Sequence, residues 1–502
     1  MKIARSTLRP SRRAWLAVAA ALALAGCAAV GPDFEPPAPP APQQRPSSAP
    51  ELLAGLPVNE DALPQRWWMV FGDPALDALQ DRLLAGSHDL RSAALRFAQS
   101  RLQQAVVASQ AAPHVDASAR ATRQRQSESG AETRLVQALG GANRAALTEV
   151  LASPFPLYQA GFDASWELDL WGRVRRSIES ADAGVEGASA LLAQTRLALG
   201  SELARAYFQW RLAQRQQALL AEQVAAARDV LGLLQAQAAA GLMAEDEPLA
   251  QRTRVAELQA AQAPLRAREA ALANQIATLT GGLPGSLGDA LAPLPLPAVD
   301  AAPALPDLSL GLPSELARRR PDVRAAEAQL HAATADIGVA VADLYPRIAL
   351  GASVGLQSVE AGRFGDWGSR TWQVGPVLSL PLFDRGRRRA TVELRRLQQQ
   401  QAAVAYQQAV LKAWQEVDDT LLDYAAERRR HAELAARLDD RRAAWALAQG
   451  RRAHGLGSEL APLQARLAYL QASADLAESR ARLHTGLVAV FKAVGGGVES
   501  GS

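Results

Sequence analysis

The chain is written twice. Adding 214 to Gly161, Ser165, Leu168, Gly172 and Arg173 returns the same residue types at Gly375, Ser379, Leu382, Gly386 and Arg387. The offset still holds at Glu202/Glu416, Gly241/Gly455, Leu242/Leu456, Pro248/Pro462 and Gly281/Gly495. A second offset, 233, joins Asp89, Arg91 and Pro113 to Asp322, Arg324 and Pro346, so one insertion of 19 residues separates the copies between Pro113 and Gly161. A duplicated unit closes its apolar surface against its neighbours. A catalytic domain gains little from that plan, whereas a tube gains a wall.

The N-terminus sets the compartment. Five basic residues, Lys2 to Arg13, precede the short apolar run Trp15–Ala25, and Leu24-Ala25-Gly26 leads into Cys27. This is a secretory signal over residues 1–26, and its end resembles a bacterial lipobox. That resemblance makes Cys27 the lipidated (palmitate-bearing) first residue of the mature protein, with Ala28 directing it to the outer membrane. A buried structural thiol is the competing reading, but it does not account for the position at the expected cleavage point. Cys27 is the only cysteine, which excludes a disulfide framework. The leader carries five basic residues and no acidic ones, so the net charge falls from +3 to −2 on its removal. Basic character therefore gives no argument for a nucleic-acid partner.

After residue 27 no apolar stretch reaches the roughly 18 residues of a membrane-spanning helix, so a membrane crossing would require a closed β-barrel. Residues 27–66 read as a tether, rich in Pro, Ala, Gln and Ser up to residue 50. Helical periodicity runs from near Pro74 to about Ala112, and then the period changes to two. Strands are expected at about 113–124 and 157–170, and again at about 346–358 and 371–383. In each the apolar residues alternate with small or polar ones, as in Tyr158, Ala160, Phe162, Ala164 and Trp166 against Gln159, Gly161, Asp163 and Ser165. A soluble sandwich also alternates, but four such strands on a lipoprotein suit a barrel with lipid outside and water inside.

Each second strand ends in a Gly-Arg pair, Gly172-Arg173 and Gly386-Arg387, and becomes a proline-free stretch, 173–240 and 387–454. As a helix each spans roughly 100 Å, longer than the helices of ordinary bundles. Leu203, Tyr207 and Trp210 recur at Val417, Leu421 and Tyr424 in the 4-then-3 spacing of a coiled-coil seam. Gly241-Leu242 and Gly455-Leu456 fit left-handed C-caps. Returning helices then run to about Thr280 and Val494, and Pro264 should kink or break the first. The domain plan is therefore repeat 1 over 67–282, a Pro-rich connector over 283–320, repeat 2 over 321–496 and a tail over 497–502.

These residues resemble the outer membrane factor (TolC-like) family, and within it the efflux lipoprotein branch of OprM and NodT-type proteins. The likeness rests on Gly31-Pro32-Asp33-Phe34, on Trp67-Trp68-Met69-Val70-Phe71-Gly72-Asp73-Pro74, and most specifically on Leu312 through Asp322-Val323 to Leu344-Tyr345-Pro346. It implies a homotrimer, a twelve-stranded β-barrel continued by a periplasmic α-helical barrel, and outer membrane lipids around it. It further implies a periplasmic adaptor and an inner-membrane, RND-type pump as partners. Gly241, Leu242, Gly455 and Leu456 are then the adaptor-facing tips. Relatives narrow the pore with an aspartate in a Leu-Asp-Ala run; here the run is Leu463-Gln464-Ala465, which leaves Glu459, Leu463, Gln464 and Arg466 as constriction candidates. Four strands cannot close around water, and three chains supply twelve.

Enzymatic chemistry is not indicated. The six histidines make no ligand spacing, no cysteine is left for catalysis, no phosphate loop precedes a helix, and no cofactor beyond the lipid is expected. Asp418-Asp419 and Asp439-Asp440 sit on helices, where solvated faces or ion pairs account for them. The rival to a passive exit duct is a non-channel helical spacer or scaffold lipoprotein. The insertion spanning roughly 124–156 is placed in an extracellular loop.

Overall fold

A computed structural model describes residues 29–37, 47–56, 58–59, 64–130, 134, 141–290, 308–309 and 319–496. The signal peptide, Cys27, most of the connector, the Leu312–Arg318 motif and the tail lie outside the described residues.

The duplication reappears as architecture. Helices α1 (Pro74–Gly86) and α2 (His88–Ala108) lead into strand β1 (His114–Gln124). A short helix α3 (Arg144–Ala152), strand β2 (Phe155–Glu167) and the long α4 (Arg173–Ala239) follow, and then α5 (Asp246–Ala260) and α6 (Gln262–Leu279). The second copy is α7 (Pro321–Ala342), β3 (Arg347–Ser358), β4 (Arg370–Ser379), α8 (Arg387–Ala453) and α9 (Leu460–Ala493). Both ends of α4 map onto α8 at the 214 offset, and each helix has 67 residues. The starts of α2 and α7 keep the 233 offset.

Pro264 acts as its chemistry requires. Its ring crowds the carbonyl four residues earlier, at Ala260, and α5 ends there; the equivalent position in the uninterrupted α9 is Glu478. Three boundaries differ from the sequence reading, the first being β2, which ends at Glu167 rather than near 170. The helical periodicity read from near Pro74 to about Ala112 is divided at Ser87, whose extended backbone closes α1 and whose hydroxyl accepts from the Leu90 N–H at 3.5 Å. Strand β4 stops at Ser379 rather than near 383, because its last rung pairs Ser379 with Arg347 where β3 begins, and Pro381 has no N–H to extend the ladder. A two-residue parallel ladder, Val58–Asn59 with Leu308–Ser309, was not foreseen.

Contacts divide the chain into two compact units. The first comprises Met1–Glu35, Ser100–Gly184 and Leu330–Ala402, and the second Pro36–Gln99, Val185–Gln329 and Ala403–Ser502. The first is built on an antiparallel meander in the order β1-β2-β3-β4, whose outer edges, on β1 and β4, have no partner strand among the described residues.

The second unit holds the main core, and the expected seam lies in it: Leu203, Tyr207, Val417, Leu421 and Tyr424 are buried together, with Trp210 packed against them. Trp67, Trp68 and Phe491 belong to the same core. Asp73 caps α1 by accepting from the Ala75 and Leu76 N–H groups, and it also accepts the buried Tyr207 hydroxyl at 2.7 Å. Arg320 is sunk beside the start of α7, where it donates to both oxygens of Asp322 (3.0 and 2.7 Å), to Glu416 (2.6 Å) and to the Ala493 carbonyl (2.7 Å). Of the paired acids, Asp418 accepts from the Ser48 backbone and hydroxyl, while Asp439 lies 3.9 Å from Arg442.

Candidate functional site

Cross-strand register sorts the sheet of the first unit into two chemistries. Ala117 pairs with Phe162, Phe162 with Val354, and Val354 with Trp372. Since a strand alternates faces, these rungs place Val115, Ala164, Leu350 and Leu378 on the same side. Phe162, Val354 and Trp372 are all more than half exposed, as are Val374 and Leu378. The other face is small or polar: Asp116 faces Asp163, Asp163 faces Ser353, and Ser353 faces Gln373. An apolar skin this exposed on an antiparallel sheet is a membrane-facing surface. Aromatic side chains stand at both ends of it, Trp367 and Trp372 at the hairpin end and Trp166 and Tyr345 at the helix end. No helix among the described residues is long and apolar enough to cross a membrane.

At the helix end of the sheet the two Gly-Arg junctions share a turn and differ in partners. Gly172 and Gly386 both take positive φ, 78° and 82°. Arg173 is bidentate to Glu167 at 2.9 and 2.8 Å, whereas Pro381 stands at the matching position of the second copy. Both helix starts are capped by an aspartate, though from non-equivalent positions: Asp169 accepts from the Val174 and Arg175 N–H groups, and Asp384 from those of Gly386 and Arg388.

The segment that follows the expected lipid attachment docks in the same unit, a role the sequence reading did not assign. The Val30 N–H donates to the Trp171 carbonyl at 3.0 Å. Asp33 pairs with Arg176, and Phe34 stacks on His331 at 4.3 Å, itself 3.1 Å from Glu179. A Cβ on Gly31 would lie 2.5 Å from the Gly338 Cα, so two backbones meet there. In sequence Gly31-Pro32-Asp33-Phe34 carries only the family resemblance; the glycine and the acid are the local signal for this docking.

In the second unit each helix tip closes with the same double bond pattern. The Leu242 N–H reaches the Gln237 carbonyl and the Gly241 N–H reaches Ala238, both at 2.9 Å. Leu456 to Arg451 (2.9 Å) and Gly455 to Arg452 (3.0 Å) repeat it. This is the Schellman closure, for which Gly241 and Gly455 supply φ of 71° and 72°. It projects Leu242 and Leu456 outward, each 78% exposed. Among the constriction candidates, Glu459 is bridged to Arg452 at 2.7 Å and Arg466 lies 4.0 Å from Asp229 of α4. Leu463 is half-buried and Gln464 exposed.

The histidines, scattered in sequence, are partly gathered. His484 lies against Phe208 and Phe71. Burial, with help from Arg480 and His431, pushes its pKa down to about 3. His431 is likewise lowered by burial and by Arg480, and its Nδ1 lies 3.3 Å from the Ser479 hydroxyl. Among the described residues no three potential metal ligands come together.

Comparison with known proteins agrees with this geometry. The profile of the outer membrane efflux protein family matches residues 79–282 and 312–496. The solvent efflux pump outer membrane protein SrpC of Pseudomonas putida is 30% identical over 482 residues, 95% of this chain and 97% of its own. The pyoverdine export outer membrane protein OpmQ of Pseudomonas putida is 31% identical, covering 96% and 97%. Among solved structures, the outer-membrane channel OprN superimposes with a TM-score of 0.78 at 33% identity, over 93% of this chain and 99% of that one.

Proposed function

This chain belongs to the outer membrane efflux protein family, and from that premise we propose that three copies form one exit duct. Each is the outer membrane channel component of a tripartite efflux system, placed in the outer membrane and reaching into the periplasm. The observation that carries the trimer is the four-stranded sheet with two open edges, apolar on one face and polar on the other. In a closed ring β4 of one copy runs antiparallel beside β1 of the next, and three copies give twelve strands, enough to surround water.

Transport through such a duct is passive. An energised inner-membrane pump of the RND type loads the substrate through a periplasmic adaptor, and the polar face of the barrel conducts it outward. The exposed Leu242 and Leu456 tips meet the adaptor. Glu459, Leu463, Gln464 and Arg466 border the inner aperture, which opens as the tips move apart, and no catalytic step belongs to this chain. Cys27 carries the lipid that holds the N-terminus at the inner leaflet. SrpC and OpmQ, one named for solvents and one for pyoverdine, match this chain almost equally; small organic molecules are its cargo class, and the pump selects among them.

Single-channel recording of the mature protein in planar bilayers, with cross-linking to count subunits, tests this reading. Discrete conductance from a trimer is expected, rising when Arg452→Ser removes the bridge to Glu459. A monomer that never inserts would sink the duct and leave a helical spacer.

A further inference from the structure

Charge on the apolar face of the sheet is confined to one place. Following the register, that face comprises the odd-numbered residues of β1 and the even-numbered residues of β2, β3 and β4. Two of its members are charged, Arg123 on β1 and Arg370 on β4. Both sit at the hairpin end, the extracellular one for strands whose other ends join periplasmic helices, and both lie on the strands that form the open edges.

Among the described residues neither arginine is answered by a carboxylate. Arg123 is exposed and has no ion-pair partner among the described residues. Arg370 donates its Nε to the Trp367 carbonyl at 2.6 Å, and its guanidinium lies over the Trp367 ring, 3.1 Å from the centroid. This fixes the plane of the fork and leaves its terminal N–H groups to solvent or ligand. The acids nearby are engaged elsewhere: Glu360 and Asp366 face Arg363 at 3.9 and 3.7 Å, and Glu128 pairs with Arg125 at 2.6 Å.

A guanidinium on a lipid-facing surface is tolerated at the headgroup level and costly deeper. There the available counter-charge is the phosphate of a lipid, which the planar fork binds bidentately. Trp367 and Trp372, 77% and 75% exposed, lie at the same level as interfacial anchors. We propose that the outer rim carries a site for the phosphate of an outer-leaflet glycolipid. Each site is formed at a seam by Arg123 of one copy and Arg370 with Trp367 of the next. This pairing rests on the trimeric duct proposed above.

The test titrates the mature, detergent-solubilised protein with bis-phosphorylated lipid A and with its dephosphorylated form. Bound lipid is counted by native mass spectrometry, and the same preparations are recorded in planar bilayers. The phosphorylated lipid should bind at least about tenfold more tightly, the equivalent of one charge-assisted hydrogen bond. The double substitution Arg123→Gln/Arg370→Gln should abolish that preference while the trimer still conducts. Arg363→Gln should keep it, and Arg123→Lys/Arg370→Lys should keep part of it, since charge survives without the fork. Equal binding of the two lipids, or an undiminished preference in the double glutamine variant, overturns the site. So does complete displacement of lipid A by millimolar inorganic phosphate, which would assign the arginines to free anions. A conducting trimer with any of these results leaves the duct standing, whereas an unsubstituted protein that never conducts overturns the duct itself.

Discussion

Replacing Arg320 with methionine keeps most of the aliphatic stem and removes the guanidinium from a site where it has three partners. Its side chain is 7% exposed, while those of Asp322 and Glu416 are 27% and 41% exposed. Deleting one member of a fully buried ion pair costs about 3–5 kcal/mol. Here both carboxylates keep contact with water and would recover part of their hydration, so a loss of about 2–3 kcal/mol is expected. The Ala493 carbonyl at the end of α9 would lose its donor as well. Large oligomers unfold irreversibly, so the observable is a half-life at one elevated temperature, followed by loss of helical circular dichroism in detergent. If these contacts are absent from the unfolding transition state, the half-life should shorten on the order of 30- to 100-fold. In a Glu416→Gln background the same substitution should cost about 1 kcal/mol less, because one of the stranded charges is already gone. Burial alone would raise the Asp322 carboxyl, but its bonds to Arg320 hold it below the usual range. Its contribution is therefore present above the unfolded carboxylate pKa and lost as pH falls through the folded one. A half-life for Arg320→Met within twofold of the parent at neutral pH would refute the reasoning.

Acid lability should trace to His484. Its folded pKa of about 3 lies below the unfolded value, so between roughly pH 6.5 and 3 the unfolded chain binds a proton the folded one refuses. Stability is whole above that window and falls by about 1.4 kcal/mol per pH unit within it. His484→Phe should flatten the dependence of unfolding half-life on pH between 6.5 and 5, and an unchanged slope counts against it. In the sheet, a Cβ at Gly355 would lie 2.6 Å from the Ala160 carbonyl oxygen. Gly355→Val should therefore cost about 1–3 kcal/mol by overpacking and reduce trimer yield in cross-linking; a full yield would contradict the register. The face assignment is checked by a pair of substitutions. Phe162→Arg places a charge on the lipid-facing surface, at a cost that rises with depth to about 2–4 kcal/mol, and should reduce bilayer insertion. Asp163→Asn, one residue on, should insert normally and change only ion selectivity.

Much of this architecture was legible because the duplication supplied an internal check. The limits of α4 and α8 were expected within a residue, since Gly-Arg at one end and Gly-Leu at the other both have conformational reasons to stop a helix. Alternation gave the strands, and Pro264 announced the break between α5 and α6. The misses arose where long-range pairing overrides local pattern. Apolar alternation runs on through Leu380 and Leu382, yet β4 ends when its partner does. Ser87 lies inside the helical periodicity, and the break there shows only in its backbone and in its hydroxyl, which accepts from the Leu90 N–H. At the sites, the tip glycines could be read from sequence. The docking of Asp33 on Arg176 and the isolation of Arg123 and Arg370 on one face depend on register and on contacts across hundreds of residues, which periodicity does not carry.

The equal 67-residue length of α4 and α8 has a consequence for how such a chain can change. Each residue added to a helix advances its end by 1.5 Å and turns every later side chain by about 100°. An insertion in one copy alone would put its Gly-Leu tip out of phase with the other, in height and in bearing. Matched insertions of seven, two nearly whole turns, would lengthen both arms and leave both tips facing as before. Length is in this sense a property held jointly by the two copies. Insertions and deletions are free to accumulate in the hairpin loops, as the 19 residues near α3 have done, but along the helices they can be accommodated only in step.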